Sequence, residues 1–144
     1  MDRGIWRIWL IVAAAGVAVF GLAMVLAPAV PERLFTWMLF GDGFPAAFGG
    51  VEVDYVRFVT GVLGAVMVGW AVLILVVAAG PLRHGEPWAW SALVGSLAVW
   101  YVLDSGLSVA AGYGENAVLN TLIAAGFVPG LAGTRPRSPR RDVP

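Results

Sequence analysis

The polar residues with the most chemical potential lie near one end of the apolar segments that fill this chain. Arg57 lies about one helical turn inside the second segment, and Asp104 ends the third. At about 1.5 Å per helical residue, Asp104 lies about 24 Å from Trp88, so the two charges fall at similar depth. Ionisable groups at membrane depth are costly unless they are paired, which makes this end a candidate site.

Further polar and aromatic residues join this end at helical spacing. Residues three, four and seven positions apart share one face of a helix, and one turn separates residues four apart. Three interpretations remain open: an ion pair that locks two helices together, a pocket for a polar head group or small ligand, and a proton or ion pathway. The candidate ligand or ion-pair cluster comprises Arg57, Thr60, Trp100, Tyr101, Asp104, Ser105, Ser108, Asn116 and Asn120.

Several chemistries are excluded by residue type. The chain has no cysteine and a single histidine, His84, which leaves too few ligands for an ordinary zinc or haem site. His84 is predicted on the opposite side of the membrane from Asp104, so the two cannot form a nucleophilic triad. The first outer loop carries three carboxylates without a calcium-loop motif, and we interpret them as solvated charges; they are Asp42, Glu52 and Asp54. No cofactor, metal or enzymatic activity is expected.

The elements that position this cluster follow from composition. Of 144 residues, 60% are hydrophobic and 12% charged, about half the charged fraction of a soluble domain. Mean hydropathy is +0.84. Proline and glycine separate four apolar stretches. The pattern predicts an all-α, polytopic membrane four-helix bundle over residues 1–133, with helices at about 6–26, 55–79, 88–108 and 115–131. A basic, disordered tail is predicted over 134–144.

The first outer loop, roughly residues 29–54, contains a short helical signal of its own. Pro31 suits a first helical turn, and Gly41 suits a terminator after an apolar, aromatic run. Such a segment is expected at the membrane interface. It would serve either as an interfacial anchor or as a lid over an outward-facing pocket.

Arginine placement orients the predicted bundle. Segments before helix 1, between helices 2 and 3, and after helix 4 share one side if there are four crossings. They hold seven of the chain's nine basic residues, and the positive-inside rule makes that side cytoplasmic. Both termini of this multi-pass cell-membrane protein are therefore expected in the cytoplasm. Zero formal net charge gives no basis for a nucleic-acid partner. The seven are Arg3, Arg7, Arg83, Arg135, Arg137, Arg140 and Arg141.

A stripe of small residues runs along the predicted second helix. Gly61, Ala65 and Gly69 are four residues apart, so a neighbouring backbone can approach closely there. The stripe would serve either contact within the bundle or a homo-oligomer. The lipid bilayer is the other expected partner, together with a lipid or small apolar ligand at the outer end.

The chain resembles small uncharacterised bacterial four-helix integral membrane proteins, and it is broadly similar to DoxX-like and domain-of-unknown-function bundles. The resemblance covers roughly residues 5–131 and implies architecture, with no catalytic motif. The leading hypothesis is a non-enzymatic bundle that binds a partner, lipid or small ligand at its outer end. The alternatives are a small oligomeric transporter or channel and a membrane enzyme that uses Asp104 and Arg57. The resemblance rests on Pro28 after the first helix, Arg57-Phe58 before Gly61-Val62-Leu63-Gly64-Ala65, and Trp100-Tyr101-Val102-Leu103-Asp104 before Asn116 and Asn120.

Overall fold

The computed structural model describes residues 3–41 and 48–136, and within those ranges the protein is all-α, as predicted. Asp42 and most of the predicted basic tail lie outside the described residues. Thr134, which we assigned to that tail, instead ends the last helix. The five helices of the described chain are α1 (Arg3–Leu26), α2 (Ala29–Phe40), α3 (Gly50–Ala79), α4 (Pro87–Ala110) and α5 (Gly114–Thr134).

Four of the helices, α1, α3, α4 and α5, are long and apolar enough to cross a membrane. The shortest, α5, has 21 residues. At about 1.5 Å per residue it is about 32 Å long, just over the about 30 Å of a bilayer's hydrocarbon core. It reaches this length because it includes Gly114 and its neighbours outside the apolar stretch. By helix length and composition the chain is a polytopic membrane protein, with short α2 between its first two spans.

Proline and glycine mark the helix ends in the structure as they do in the sequence. The first helix ends two residues before Pro28, and α4 begins at Pro87. Helix α2 ends at Gly41, which has a φ of 83° and donates its backbone N–H to the Trp37 carbonyl at 3.0 Å. That backbone conformation favours glycine. Helix α3 begins at Gly50, five residues earlier than predicted, so the acidic residues that follow it are helical.

Helix α1 packs along α3 on one side and along α5 on another, and α4 packs along α5, whereas α3 and α4 make few contacts. The closest backbone approach joins Gly21 of α1 to Gly64 of α3. A methyl carbon built on Gly64 would lie 2.6 Å from the Gly21 carbonyl oxygen, and one built on Gly21 would lie 2.7 Å from the Gly64 carbonyl oxygen. Close contact of this kind provides the dispersion energy that holds helices together in lipid.

We call the end formed by the start of α1, the α3–α4 turn and the end of α5 the inner end. The end formed by α2 and the α4–α5 turn is the outer end. The buried core lies in the inner half, and the cavity enclosed among Leu10, Ile74, Phe127 and their neighbours measures only about 10 Å³. Trp70 contacts Trp100 with ring centroids 5.5 Å apart and borders this core. The core residues are Leu10, Ala14, Val17, Ala71, Ile74, Val77, Ala78, Ala89, Leu93, Phe127 and Leu131.

The small-residue stripe of α3 does not pack inside the bundle. A methyl carbon built on Gly61 or Gly69 would meet no atom of another helix within 4 Å in the described chain. Ala65 is exposed. The prediction of contact within the bundle is therefore wrong, because the face that α3 turns toward α1 is the one that carries Gly64. Use of the stripe by a homo-oligomer stays a prediction.

Candidate functional site

A partly open cavity of about 610 Å³ occupies the outer half of the bundle. All five helices contribute to its wall, since it lies where α3 and α4 separate and where α2 crosses the outer end. Most of the wall is apolar. A smaller set of polar side chains interrupts it on α2, α3, α4 and α5. The apolar wall includes Met24, Pro28, Phe35, Leu39, Val56, Leu63 and Leu107, and the polar side chains are Glu32, Thr36, Arg57, Thr60, Asp104, Ser108, Tyr113 and Asn116.

Three of these polar side chains form a hydrogen-bonded network across the α4–α5 turn. The Asn116 amide nitrogen donates to Asp104 Oδ1 at 3.0 Å and to the Ser108 hydroxyl oxygen at 2.8 Å. The Ser108 hydroxyl in turn donates to the Asp104 backbone carbonyl at 2.7 Å. Asp104 and Ser108 are one turn apart, so α4 presents both to α5, and the short turn brings Asn116 opposite them. The network fixes a carboxylate at the cavity wall.

Arg57 pairs with Glu32 of α2 instead of Asp104. Its Nε lies 2.7 Å from Glu32 Oε2 and its Nη2 lies 3.1 Å from Oε1, a bidentate geometry that favours a strong hydrogen-bonded ion pair. Asp54, one turn earlier on α3, lies 3.9 Å from Nη1. Within the described residues Asp104 forms no ion pair, so the predicted pairing of Arg57 with Asp104 is wrong. The physical reason is that the cavity separates α3 from α4 at this depth, whereas α2, which packs on α1 and α5, places Glu32 within reach of the Arg57 side chain.

The Glu32 carboxyl is strongly coupled to this arginine. Its hydrogen bond with Arg57 lowers the pKa of Glu32, and partial burial opposes that effect. A lowered carboxyl pKa means that the folded protein favours the charged form of Glu32. The ion pair therefore persists at neutral pH and joins α2 to the outer end of α3.

Helix α2 forms part of the cavity wall, and this was missing from the sequence-derived cluster. Thr36 is 8% exposed, and its hydroxyl donates to the Glu32 carbonyl at 2.7 Å. The Phe35 ring lies 6.2 Å from the ring of Phe20 on α1. The opposite face of α2 exposes 69% of Trp37. A single acidic residue, Glu32, near the start of an otherwise mostly apolar helix was the signal that would have indicated a partner for Arg57.

Five of the nine predicted site residues line the cavity, and four do not. Trp100 packs on Trp70, one turn deeper than Asp104. The Tyr101 hydroxyl lies 3.0 Å from the Thr121 hydroxyl of α5, and Ser105 Oγ accepts a hydrogen bond from the Asn120 amide at 3.4 Å. These last pairs join α4 to α5 outside the cavity. The five that line it are Arg57, Thr60, Asp104, Ser108 and Asn116.

The cavity offers hydrogen bonds and an ion pair, and its Ser108 hydroxyl lies 3.4 Å from Asp104 Oδ1 while it donates its shorter hydrogen bond to the Asp104 backbone carbonyl. His84 lies in the α3–α4 turn at the inner end, far along the helices from Asp104. No group of three or more His, Asp or Glu residues within 3–41 and 48–136 could hold a metal ion. The arrangement is chemically suited to holding a molecule with an apolar body and a polar group.

The chain matches no protein-family model, no curated protein and no solved structure. The similarity to DoxX-like and other named bundles therefore has no family match to support it. The four-helix membrane architecture rests on the composition of the chain and on the helices described above.

Proposed function

We propose that this protein is a non-enzymatic membrane protein that binds a lipid-like or small amphipathic ligand in its outer cavity. The observation that carries this proposal is the cavity of about 610 Å³ with apolar walls and a fixed polar edge. Small-molecule sites typically have volumes of about 300–1,000 Å³, apolar walls and a few placed polar groups. The size and chemistry of this cavity agree with that pattern.

The polar groups indicate how such a ligand would be oriented. Asp104 Oδ1 and the Ser108 and Asn116 side chains lie on one side, and the Arg57–Glu32 pair lies toward α2. A ligand's hydrogen-bond donor or cationic group would bind beside Asp104. Its apolar portion would pack against side chains such as Leu63 and Leu107. A ligand of this kind is available from the bilayer itself.

A small transporter or channel is the alternative that the sequence raised, and the inner half of the bundle argues against it for a single copy. Transport needs a path along the full length of the bundle. The closely packed core leaves a cavity of only about 10 Å³ among Leu10, Ile74 and neighbouring residues. The buried polar side chains of the described chain are Thr36, Ser108, Asn120 and Thr134, and none of them is ionisable. Binding at the outer end requires no such path.

The cavity proposal is tested by filling it. Thr60→Phe adds a ring at the cavity wall, and the matched control Val66→Phe adds one on an exposed face of the same helix. Native mass spectrometry of protein extracted from membranes should show a bound molecule of defined mass in wild type and control, and its loss in Thr60→Phe. Equal retention in both variants, or no bound molecule in any of the three, contradicts ligand binding. The same spectra give the subunit count and so test a homo-oligomer through Gly61 and Gly69.

We also propose that the inner end faces the cytoplasm, so that both termini lie there and the cavity faces outward. Support comes from the arginines, because Arg3, Arg7 and Arg83 all lie at the inner end of the described chain. The chain contains no cysteine, so single-cysteine variants can be labelled without background. A membrane-impermeant maleimide should label Glu115→Cys in intact cells and should label His84→Cys only after the cells are lysed. The reverse pattern contradicts this orientation.

A further inference from the structure

A second, smaller pocket lies at the inner end, opposite the cavity discussed above. It has a volume of about 130 Å³ and lies between the start of α1, the α3–α4 turn and the end of α5. That volume is far above the roughly 10–15 Å³ that one water molecule needs. We call it the arginine pocket, because the charged side chains in its wall are Arg3, Arg7, Arg83 and Glu86.

The charges around this pocket do not neutralise one another. Three guanidinium groups face one carboxylate, an excess of two positive charges. None of the three arginines lies within 4.0 Å of a carboxylate of the described chain, where the ion pairs found belong to Arg57. Arg3 Nη2 donates to the Arg135 backbone carbonyl at 3.0 Å, which uses one of its five donors. Among the described residues that line it, the pocket therefore carries an excess of positive charge.

Arg7, which lines this pocket, also carries an unpaired hydrogen-bond donor. Its Nε is shielded from solvent and has no hydrogen-bond partner, which is true of no other buried side-chain nitrogen or oxygen in the described chain. A buried donor without an acceptor costs about 1–3 kcal/mol, and native structures rarely retain one. Arg83 lies on the same pocket from the α3–α4 turn. An anion held between these two side chains would bind their terminal Nη groups, and the Arg7 Nε–H would reach it once the side chain turned toward the pocket.

We propose that the arginine pocket binds a phosphate group, supplied either by the head group of an anionic lipid or by free phosphate. Arginine suits this ligand, because its planar guanidinium presents parallel N–H donors that match phosphate oxygens in pairs. Arg7 contributes from α1 and Arg83 from the turn, so a bound phosphate would join the first helix to the α3–α4 connection. This site is separate from the outer cavity and does not depend on the ligand proposed there.

The test removes one charge at a time while leaving the outer cavity intact. Arg7→Gln and Arg83→Gln each remove one guanidinium from the pocket. Arg33→Gln is the matched control, because it removes the same charge from an exposed position of α2 at the outer end. Arg83 lies on an exposed turn, so its replacement tests the proposal even if Arg7→Gln disturbs folding.

Two probes distinguish the sources of phosphate. The first is inorganic phosphate, followed by the thermal shift of the detergent-purified protein, with chloride at equal ionic strength as reference. The second is phosphatidylglycerol, followed by native mass spectrometry after reconstitution with equal amounts of phosphatidylglycerol and phosphatidylcholine. Loss of one charge-assisted hydrogen bond, about 1.5 kcal/mol, should raise the dissociation constant about 10-fold in Arg7→Gln and Arg83→Gln, with little change in Arg33→Gln.

Selective retention of phosphatidylglycerol identifies the lipid head group as the ligand, and a phosphate-specific thermal shift identifies the free ion. Either result supports the proposal when both pocket variants weaken it and the control does not. Binding of neither probe overturns the proposal. Equal weakening by Arg33→Gln also overturns it, because the attraction would then depend only on overall charge.

Discussion

The inner and outer halves of this bundle are built from the same four long helices, yet they are filled differently. The cavity within the buried core of the inner half measures about 10 Å³ and the arginine pocket at its end about 130 Å³, whereas the cavity of the outer half measures about 610 Å³. Small core residues such as Ala14, Ala71 and Ala89 let the helices approach in the inner half. In the outer half α3 and α4 separate beyond the contact between Trp70 and Trp100.

The difference in packing between the two halves shows how a membrane protein can keep a cavity open. Lipid tails are as apolar as leucine, so no hydrophobic force between helices compresses the outer half. That half is instead held by directional contacts: the Asp104–Ser108–Asn116 network joins α4 to α5, and the Glu32–Arg57 pair joins α2 to α3. We expect stability to come mainly from the inner half and binding from the outer half.

Replacement of an aromatic side chain of the buried core by alanine should give the largest loss of stability. Phe127 is 4% exposed, and its replacement by alanine should cost about 3–5 kcal/mol, because it opens a cavity in a closely packed region. Leu107→Ala, at the outer cavity wall, should cost less than about 1 kcal/mol, since that side chain is 72% exposed. Thermal unfolding in detergent measures both. Equal losses would show that the outer half contributes as much packing as the inner half.

The close contact between α1 and α3 should be the next most sensitive feature. Gly64→Ala should cost about 1–3 kcal/mol, because the added methyl group would overlap the Gly21 carbonyl and Met24 Cβ. Gly69→Ala is the matched control on the same helix and should stabilise the protein by up to about 1 kcal/mol through helix propensity alone. Denaturation curves of the two variants should therefore move in opposite directions. A stable Gly64→Ala protein would mean that the two helices can separate without loss.

Loss of the hydrogen-bonded network between α4 and α5 should lower the free energy of unfolding by a moderate amount. Asn116→Ala removes hydrogen bonds to Asp104 Oδ1 and the Ser108 hydroxyl and should cost about 1.5 kcal/mol, since bonds to a carboxylate exceed neutral ones. Glu115→Ala, an exposed neighbour, should change stability by less than about 0.5 kcal/mol. A double-mutant cycle with Asp104→Asn should be non-additive, because the two side chains share an interaction. Strict additivity would argue against the network.

The ion pair at the outer end should contribute least, because Arg57 is largely exposed. Glu32→Gln should cost no more than about 1 kcal/mol at neutral pH. Arg57 lowers the pKa of Glu32, so its contribution is present above the ordinary carboxyl pKa and is lost as the pH falls through the lowered value. The stability difference between wild type and Glu32→Gln should therefore shrink in acid. A difference that grows as the pH falls would contradict the pairing.

The helices were predictable because length, apolar composition, proline and glycine act locally. Pro28, Gly41 and Pro87 interrupt or begin helices through their own backbone chemistry, whatever surrounds them. The pairing of Asp104 with Ser108 was equally local, since one helical turn separates them. Asn116 could be placed nearby because a short turn connects its helix to α4. These features required no knowledge of how helices rotate about their axes.

The remaining features depend on rotation and depth, which the sequence does not specify. Trp100 shares a face with Asp104, but it lies one turn deeper, where Trp70 of α3 fills the space. Tyr101 and Ser105 are rotated toward α5 by about 60–100°, at about 100° per helical residue, and so point away from the cavity. Arg57 pairs with Glu32 of α2, and no local sequence pattern indicates where α2 lies relative to α3. The rotation of α3 about its axis also explains why Gly64, and not the small-residue stripe, contacts α1.

The contact between Gly21 and Gly64 should make both positions intolerant of amino-acid substitution. Each residue faces the other's backbone at a distance that leaves no room for Cβ, so every missense codon at either position adds an atom that the interface cannot hold. A complete mutational scan should therefore show that substitutions are not tolerated at these two positions, which lie 43 residues apart. Compensation by substitution at the partner position would be absent, because glycine is already the smallest residue. Neither Gly21 nor Gly64 can therefore be replaced during evolution, whereas Gly61 and Gly69 of α3 can vary.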